Sequence, residues 1–191
     1  MLRSLKLHSN APIYTLVRPE HLRTIQTLNL SNPLPFEDAA HPSWATKWHK
    51  PSFVKLRMPR AAMNVGCDKV LWLDNDIEVR HEIDHIFQTQ APAFAVDNRG
   101  AFLNSGVFVL DITLAFVRAW EGFVGRRYKS RGSRLGEWAH DGSDQELWFE
   151  FFLPPRRMYQ LPSEYNANRR SQVNRSAIRV AHFILGEGGK F

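Results

Sequence analysis

The chain alternates short apolar runs with segments of helical apolar spacing, which predicts strands interleaved with helices. Strand-like runs are found at residues 12–17, 69–73, 93–96, 107–110 and 178–183. Helices are predicted at residues 18–28, which are polar, at residues 52–65, 78–87 and 113–128, where apolar residues have helical spacing, and at residues 143–152, which begin with a capping-box pattern. Pro59 predicts a kink or two short helices in the second of these, and residues 29–51 show no period and are predicted to be a long loop. The alternation predicts an α/β fold.

The run Val70–Leu73 is typical of a buried parallel strand, and it ends abruptly in Asp74-Asn75-Asp76. On an extended backbone, side chains two residues apart lie on the same face, so both carboxylates would point to one side. The carboxyl end of such a strand is where open α/β sheets bind ligands. Paired carboxylates there suit Mg²⁺ or Mn²⁺. The alternative is an ordinary turn, because Asp and Asn are common turn residues.

Composition limits the class of protein. The chain has 191 residues with 43% hydrophobic and 23% charged side chains, which predicts one globular domain over residues 1–191. No apolar run is long enough for a membrane helix, no signal peptide is evident, and the single cysteine excludes an intrachain disulfide. We therefore expect a cytoplasmic protein; its oligomeric state is not indicated.

The net charge of +6 favours an anionic partner, either nucleic acid or a nucleotide. The sequence contains no zinc-finger spacing, no ribonucleoprotein motif and no evident helix-turn-helix. Nucleic acid is therefore not the expected partner, although a basic nucleic-acid-binding protein stays open as an alternative.

Two further polar segments lie beside apolar runs. Asn104, Ser105 and Gly106 lead into the strand at 107–110, where a glycine permits close backbone approach and the polar side chains can bond sugar hydroxyls. Asp144 and Gln145 begin a helix for which Ser143 fits the N-cap. The alternatives are a simple strand-entry turn and acidic residues that complement a helix dipole.

The last polar segment is His182 with the glycine-rich end of the chain. Histidine can supply a nitrogen ligand to a divalent metal, and glycine-rich backbone with a lysine can hold a diphosphate. Gly186 and Lys190 are the candidates for the second role. The alternative is a structural or surface histidine.

Taken in order, these segments resemble GT-A glycosyltransferases, particularly family 8, which includes glycogenin and bacterial lipopolysaccharide galactosyltransferases. The matching text is VLWLDND, FLNSGVFVLD, SDQELW and HFILGEGGKF, and the resemblance spans about residues 10–191. It implies a three-layer α/β/α sandwich with a mainly parallel, mixed sheet. It also implies transfer of a hexose from a nucleotide sugar, with UDP favoured, to a carbohydrate or glycoconjugate acceptor with retention of configuration.

The resemblance also implies roles for individual residues. Asp74, Asp76 and His182 would hold Mn²⁺ or Mg²⁺, with Lys190 and Gly186 near the diphosphate. The residues around the donor sugar would be Asn104, Ser105 and Gly106 as binding residues and Asp144 and Gln145 as catalytic residues. Because Ser143 would be the helix cap, replacement of Asp144 by Asn is expected to leave folding unchanged.

Two departures from the family are visible. The usual first nucleotide-binding strand is expected to be absent, because the first residues resemble the end of the following helix, and Gly186 lies four residues after His182 instead of three. The chain would then be truncated at the N-terminus and the C-terminus. These departures leave a non-catalytic nucleotide-sugar or glycan-binding remnant as the main alternative to an enzyme.

Overall fold

The computed structural model describes residues 1–36, 50–96, 103–129, 144–152, 158–167 and 173–183. The α-helices are α1 (Leu2–His8), α2 (Leu22–Leu28), α3 (Met58–Asn64), α4 (Leu114–Lys129) and α5 (Asp144–Phe152). The strands are β1 (Tyr14–Val17), β2 (Asn32–Pro35), β3 (Lys69–Leu73), β4 (Ile77–Val79), β5 (Ala93–Val96), β6 (Leu103–Asp111), β7 (Tyr159–Gln160) and β8 (Val180–His182). Short 3-10 helices cover Pro19–His21, Lys50–Arg57, Asp84–Gln88, Ser163–Tyr165 and Arg175–Ala177. Within these ranges no helix is long and apolar enough to cross a bilayer.

The main sheet is mixed and has the strand order β3-β6-β5-β7. The central strand β6 is antiparallel to β3 and to β5, whereas β5 and β7 are parallel. Two small sheets accompany it, a parallel pair β1-β2 and an antiparallel pair β4-β8. The ladder between β3 and β6 places the start of β6 beside the end of β3, and the candidate site lies at this end.

Each face of the main sheet has its own apolar cluster, because successive side chains of a strand point to opposite faces. Phe108 and Leu110 of β6 pack with α3, α4 and α5 on one face. On the opposite face, Val107 and Val109 pack with β4, α1 and the 3-10 helices Asp84–Gln88 and Ser163–Tyr165. Packing on both faces of the sheet confirms the predicted α/β class. The antiparallel and parallel pairings within the sheet confirm that it is mixed.

The predicted helix over residues 78–87 is wrong. The segment is divided between β4 and the 3-10 helix Asp84–Gln88. Val79, Ile83 and Ile86 are all buried in one cluster, so their spacing of four and three residues reflects burial and not a continuous helix. Val79 belongs instead to the alternation Ile77-Glu78-Val79, which is the period of a strand.

The predicted loop over residues 29–51 and the predicted environment of Val70–Leu73 also need correction. Residues 32–35 form β2, which pairs with β1 despite two prolines, because an edge strand needs only alternate N–H groups. The Asn32 N–H donates to the carbonyl of Ile13, directly before β1, at 2.8 Å, and the Phe36 N–H donates to the carbonyl of Val17 at 3.0 Å. Strand β3 is antiparallel to β6 and half-buried along its length, instead of a fully buried parallel strand.

A large cavity explains why β3 is only half-buried. It has a volume of about 1280 Å³ and is lined by residues of both β1 and β3. The Asp74 N–H donates to the Gly106 carbonyl, and the Asp68 carbonyl accepts the Ile112 N–H. These two bonds flank β3 at even-numbered positions, so the backbone groups of its even-numbered residues point toward β6. By alternation, the backbone groups of Leu71 point to the opposite edge, toward the cavity. The cavity reaches Asp74 and Asp76 at the carboxyl end of β3.

Candidate functional site

The two aspartates of the candidate site lie on a turn that directly follows β3. Asp74 extends the ladder by one residue, with its N–H donating to the Gly106 carbonyl at 2.9 Å, and Asn75 and Asp76 then form the turn before β4. The extended backbone assumed from the sequence is therefore wrong, and the turn is correct. The carboxylates converge nonetheless: Asp74, Asp76 and His182 each offer a ligand atom, all within 4.8 Å of one another. The turn and the predicted cluster are thus compatible.

His182 reaches the aspartates from β8, which pairs with β4 so that His182 lies opposite Ile77. Its Nε2 is 3.3 Å from Asp76 Oδ1, and its Nδ1 is 2.7 Å from Asn166 Oδ1. The Phe183 N–H also donates to the Asp76 carbonyl at 2.8 Å. His182 is buried, whereas the Asp76 side chain is 44% exposed. The histidine is therefore fixed from behind and faces an accessible carboxylate.

Gly106 makes this approach of His182 possible. A Cβ atom at this position would lie 2.3 Å from His182 Cε1 and 2.8 Å from Asn104 Oδ1, closer than such atoms approach. Asn104 Oδ1 meanwhile accepts the Gly106 N–H at 2.8 Å. As expected from the sequence, the backbone at Gly106 is closely approached by another group. That group is the imidazole of His182.

Lys55 connects the remaining predicted residues, although nothing in the sequence distinguished it. From the 3-10 helix Lys50–Arg57, its Nζ donates to Asp74 Oδ2 at 2.9 Å and to Ser105 Oγ at 3.2 Å. The same atom lies 3.4 Å from Asp144 Oδ2. Its side chain is 8% exposed, and a lysine so deeply buried is almost always paired. Lys55 therefore joins Asp74, Ser105 and Asp144, which lie in three separate segments of the chain.

Two pKa shifts follow from these contacts. Burial alone would lower the pKa of Lys55, but the charges of Asp144 and Asp74 and their hydrogen bonds outweigh it, and the pKa is raised. Burial would raise the pKa of Asp76, but the hydrogen bond and charge of His182 outweigh it, and the pKa is lowered. Both shifts favour the charged forms, so the site contains an ammonium and a carboxylate at neutral pH.

Asp144 and Gln145 both contact the group around Ser105. The Asp144 side chain is 3% exposed and pairs with Lys55, whereas Gln145 is half-buried and its Oε1 accepts the Ser105 N–H at 3.2 Å. The expectation that Asp144→Asn leaves folding unchanged does not fit this burial, because the substitution removes a countercharge from a buried ammonium. Ser143, the predicted cap, lies outside the described residues.

Two contacts of the site were not predicted from the sequence. Trp72 Nε1 donates to Asp74 Oδ1 at 2.8 Å, so the tryptophan before the aspartate orients that carboxylate. Asn166 contacts His182 as described above. Gly186 and Lys190, the predicted phosphate-binding residues, lie outside the described residues.

The residues present fit a divalent cation. Asp74 and Asp76 provide oxygen ligands and His182 a nitrogen ligand, a combination suited to Mn²⁺ and, with its oxygens, to Mg²⁺. The close packing of the imidazole against Gly106 holds the nitrogen near both carboxylates. The exposed side of Asp76 leaves room for a ligand to approach.

The fold is the GT-A-like fold of glycosyltransferases. The glycosyltransferase GlyE of Streptococcus pneumoniae TIGR4 aligns with 100% of this chain at a TM-score of 0.69 and 18% identity. The galactosyltransferase LgtC aligns with 80% of this chain at a TM-score of 0.53 and 15% identity. The chain spans 52% of GlyE and 65% of LgtC. A glycosyltransferase involved in the glycosylation of the major capsid of PBCV-1 aligns with 90% of this chain at a TM-score of 0.53 and 14% identity, and the chain spans 92% of it.

These likenesses are structural. No protein-family model matches the sequence, and no curated protein matches it either. At these identities the neighbours show the fold, and the assignment to family 8 stays a prediction.

Proposed function

We propose that this protein is a metal-dependent glycosyltransferase that moves a hexose from a nucleotide sugar to a carbohydrate or glycoconjugate acceptor. The observation that carries the proposal is the convergence of Asp74, Asp76 and His182 directly after β3, in a GT-A-like fold. Ligand sites of open α/β sheets lie at carboxyl ends of strands. A cavity of about 1280 Å³ reaches the same turn, which is ample for a nucleotide.

The finer parts of the proposal concern donor and stereochemistry. We propose a UDP-linked hexose and retention of configuration. LgtC, a structural neighbour, is a galactosyltransferase studied with donor and acceptor sugar analogs, and a glutamine of its active site has been replaced by glutamate. Gln145 is the glutamine of this chain that lies beside Ser105 at the proposed donor site.

Cleavage of a sugar–phosphate bond requires stabilisation of the departing nucleoside diphosphate. A divalent cation, when bound to Asp74, Asp76 and His182, supplies the positive charge for this purpose. In the proposal, Asn104, Ser105 and Gly106 bind the donor, and Gly186 and Lys190 contact its phosphates. Such fixed charges and donors act most strongly in a site that excludes water.

The proposal assigns catalysis to Asp144 and Gln145. The Gln145 amide oxygen lies 3.2 Å from the Ser105 N–H and retains a second lone pair that can face an electron-poor anomeric carbon. Asp144 is directed at Lys55, so it orients the donor through the Lys55 ammonium and the Ser105 hydroxyl that this ammonium contacts. Both residues would thus act on the sugar from the first turn of α5.

The test is release of nucleoside diphosphate from a panel of nucleotide sugars, with and without Mn²⁺. Asp76→Asn is the test variant, because Asp76 is half-exposed and its loss should not prevent folding. Glu121→Gln is the matched control: Glu121 is exposed, pairs with Arg60 and does not line the cavity. We expect release by the wild type to require Mn²⁺. Asp76→Asn should lower it by about 100-fold, equivalent to about 2.7 kcal/mol at 1.36 kcal/mol per tenfold. Glu121→Gln should not change it.

The alternatives predict other outcomes. Tight binding of a nucleotide sugar without any release of diphosphate would favour a non-catalytic remnant. Retention on a nucleic-acid column with a steep dependence on salt would favour a nucleic-acid-binding protein. Release that is equal in Asp76→Asn and the wild type would exclude the proposed metal site.

A further inference from the structure

A buried contact lies behind the proposed metal ligand His182. Asn166 and His182 are 3% and 5% exposed, and Asn166 Oδ1 is 2.7 Å from His182 Nδ1. The backbone fixes both residues in place: the His182 N–H donates to the Ala167 carbonyl at 2.8 Å, and the Ala167 N–H donates to the Val180 carbonyl at 3.0 Å. The amide and the imidazole therefore meet at a defined position.

This contact determines which imidazole nitrogen carries a proton. An amide oxygen can only accept a hydrogen bond, so the Nδ1 atom that contacts Asn166 must be the donor. In the charged ring Nε2 donates to Asp76 Oδ1, which is 3.3 Å away, and in the neutral ring that a metal requires the lone pair is on this same Nε2. Rotation of the amide by half a turn would require the opposite tautomer, with a hydrogen on the atom that faces the aspartates. That tautomer could not bind a metal through Nε2.

The imidazole has little freedom to find another partner. Its Cε1 and Nδ1 atoms lie 2.3 and 3.1 Å from the point where a Cβ of Gly106 would be, so backbone closes one side of the ring. Burial of His182 and the contact with Asn166 close the other sides. The orientation of the ring and its tautomer are thus decided by the same few contacts.

Stability alone does not explain an asparagine at position 166. Its Nδ2 atom is buried and has no hydrogen-bond partner among the described residues. A buried donor without a partner lowers stability, and an apolar side chain of similar size would avoid this penalty. The bond made by Oδ1 is therefore the feature that accounts for this residue.

We propose that Asn166 is a positioning residue that holds His182 in the tautomer whose Nε2 binds a divalent cation together with Asp74 and Asp76. The inference rests on the proposed function, because the cation is the one that the enzyme would use. Groups that accept the second N–H of a metal-binding histidine commonly contribute 10- to 100-fold to metal affinity.

The experiment compares three variants with the wild type by their Mn²⁺ dissociation constants, measured by electron paramagnetic resonance of free Mn²⁺. Asn166→Leu removes the acceptor at similar size, and Asn166→Asp keeps an acceptor. Asn174→Leu is the matched control. Asn174 is exposed, and its side-chain oxygen accepts the N–H of Ser176, which is not part of the site. We expect about 10- to 100-fold weaker binding for Asn166→Leu. Asn166→Asp and Asn174→Leu should bind Mn²⁺ as the wild type does.

A second measurement reports the tautomer directly and does not depend on activity. Nitrogen-15 NMR of the metal-free wild type, at a pH where the ring is neutral, should show His182 protonated on Nδ1. Asn166→Asp should retain this signature, and Asn166→Leu should show a mixture of tautomers. A wild-type ring protonated on Nε2 would overturn the proposal even if Asn166→Leu does not fold.

The outcomes separate this inference from the proposed function. Equal Mn²⁺ affinity in wild type and folded Asn166→Leu would overturn the role of Asn166 alone. Absence of Mn²⁺ binding by the wild type would overturn the proposed metal-dependent function and this inference with it. Weak binding by Asn166→Leu with recovery in Asn166→Asp supports the inference, since a general loss of packing would not be restored by a carboxylate.

Discussion

Two groups of charged side chains meet at the turn after β3, and they differ in how completely the protein satisfies them. The buried ion group consists of Lys55, Asp74 and Asp144, with side chains 8%, 21% and 3% exposed. The open group consists of Asp76, His182 and Asn166, in which the Asp76 side chain is 44% exposed. Lys55 lies between two carboxylates, whereas Asp76 faces solvent on one side.

The difference indicates separate tasks for the two groups. Removal of charges from water is costly, and a buried ion group is stable only when each charge has its partners. The buried ion group therefore fixes the relative positions of the 3-10 helix, the turn and α5. In the open group Asp76 retains lone pairs and solvent access, which are requirements for binding an external cation. Substitutions of Lys55 and Asp144 should affect stability, and those in the open group should affect binding. Asp74 pairs with Lys55 and is also a proposed ligand of the cation, so its substitution should affect both.

The largest effect is expected for Lys55→Met. This change leaves Asp74 and Asp144 near each other without the ammonium, and loss of one partner from a buried ion pair costs about 3–5 kcal/mol. The free energy of unfolding from urea denaturation is the measurement. Arg60→Met is the control, because Arg60 forms an exposed pair with Glu121 and such pairs contribute about 0–1 kcal/mol. Equal losses in the two variants would contradict the distinction between the groups.

A smaller effect on stability, with a large effect on binding, is expected for Gly106→Ala. The new methyl would overlap His182 Cε1 at 2.3 Å, so the ring must move away from the aspartates. Insertion of a methyl into a packed region costs about 1–3 kcal/mol, and Mn²⁺ affinity should fall with the displaced ligand. Thermal unfolding and Mn²⁺ titration measure the two effects.

Gly125→Ala provides the control for this glycine substitution. Gly125 lies in α4, and among the described residues no atom outside the backbone of its own helix comes within 4 Å of its added Cβ, so the change should stabilise the helix by about 0.5–1 kcal/mol. Its Mn²⁺ affinity should equal that of the wild type. If Gly106→Ala binds Mn²⁺ as tightly as Gly125→Ala, the packing of His182 against Gly106 does not matter for the site.

The smallest effects are expected in the pH dependence of stability. The buried ion group should lose stability at alkaline pH through Lys55, and the open group should lose stability at acidic pH through Asp76. The pKa of Lys55 is raised above the unfolded value of 10.5, so its contribution is full below pH 10.5 and declines as the pH rises through the folded value. The pKa of Asp76 is lowered below 3.8, so its contribution is present above pH 3.8 and declines as the pH falls through the folded value.

Urea denaturation of wild type, Lys55→Met and Asp76→Asn across a pH series measures both effects. As the pH rises from neutral into the alkaline range, the difference in stability between wild type and Lys55→Met should decrease, whereas that between wild type and Asp76→Asn should stay constant. As the pH falls into the acidic range, the difference between wild type and Asp76→Asn should decrease. A difference between wild type and Lys55→Met that stays constant or grows as the pH rises above about 10.5 would mean that the pKa of Lys55 is not raised.

Local features of the fold followed from the sequence. The run Val70–Leu73, the apolar positions of β6 and the start of α5 depend on neighbours a few residues apart, and all three elements are present. The segment 78–87 shows the limit of such patterns. Val79, Ile83 and Ile86 are buried in the same cluster but do not share one helix, and their spacing nevertheless matches that of a helix. A period reports which side chains are buried, and the partners decide which element buries them.

The sequence by itself determined the residue types and order of the site: the aspartate pair, the Asn-Ser-Gly segment, Asp144 with Gln145, and His182. Only the tertiary structure decided that Lys55 joins them, that Gly106 makes room for His182 and that Asn166 holds it. Lys55 and Ser105 are 50 residues apart, and Asn166 and His182 are 16 apart. Such contacts arise when separate strands and helices pack together, and no local pattern of apolar and polar residues encodes which side chains then meet.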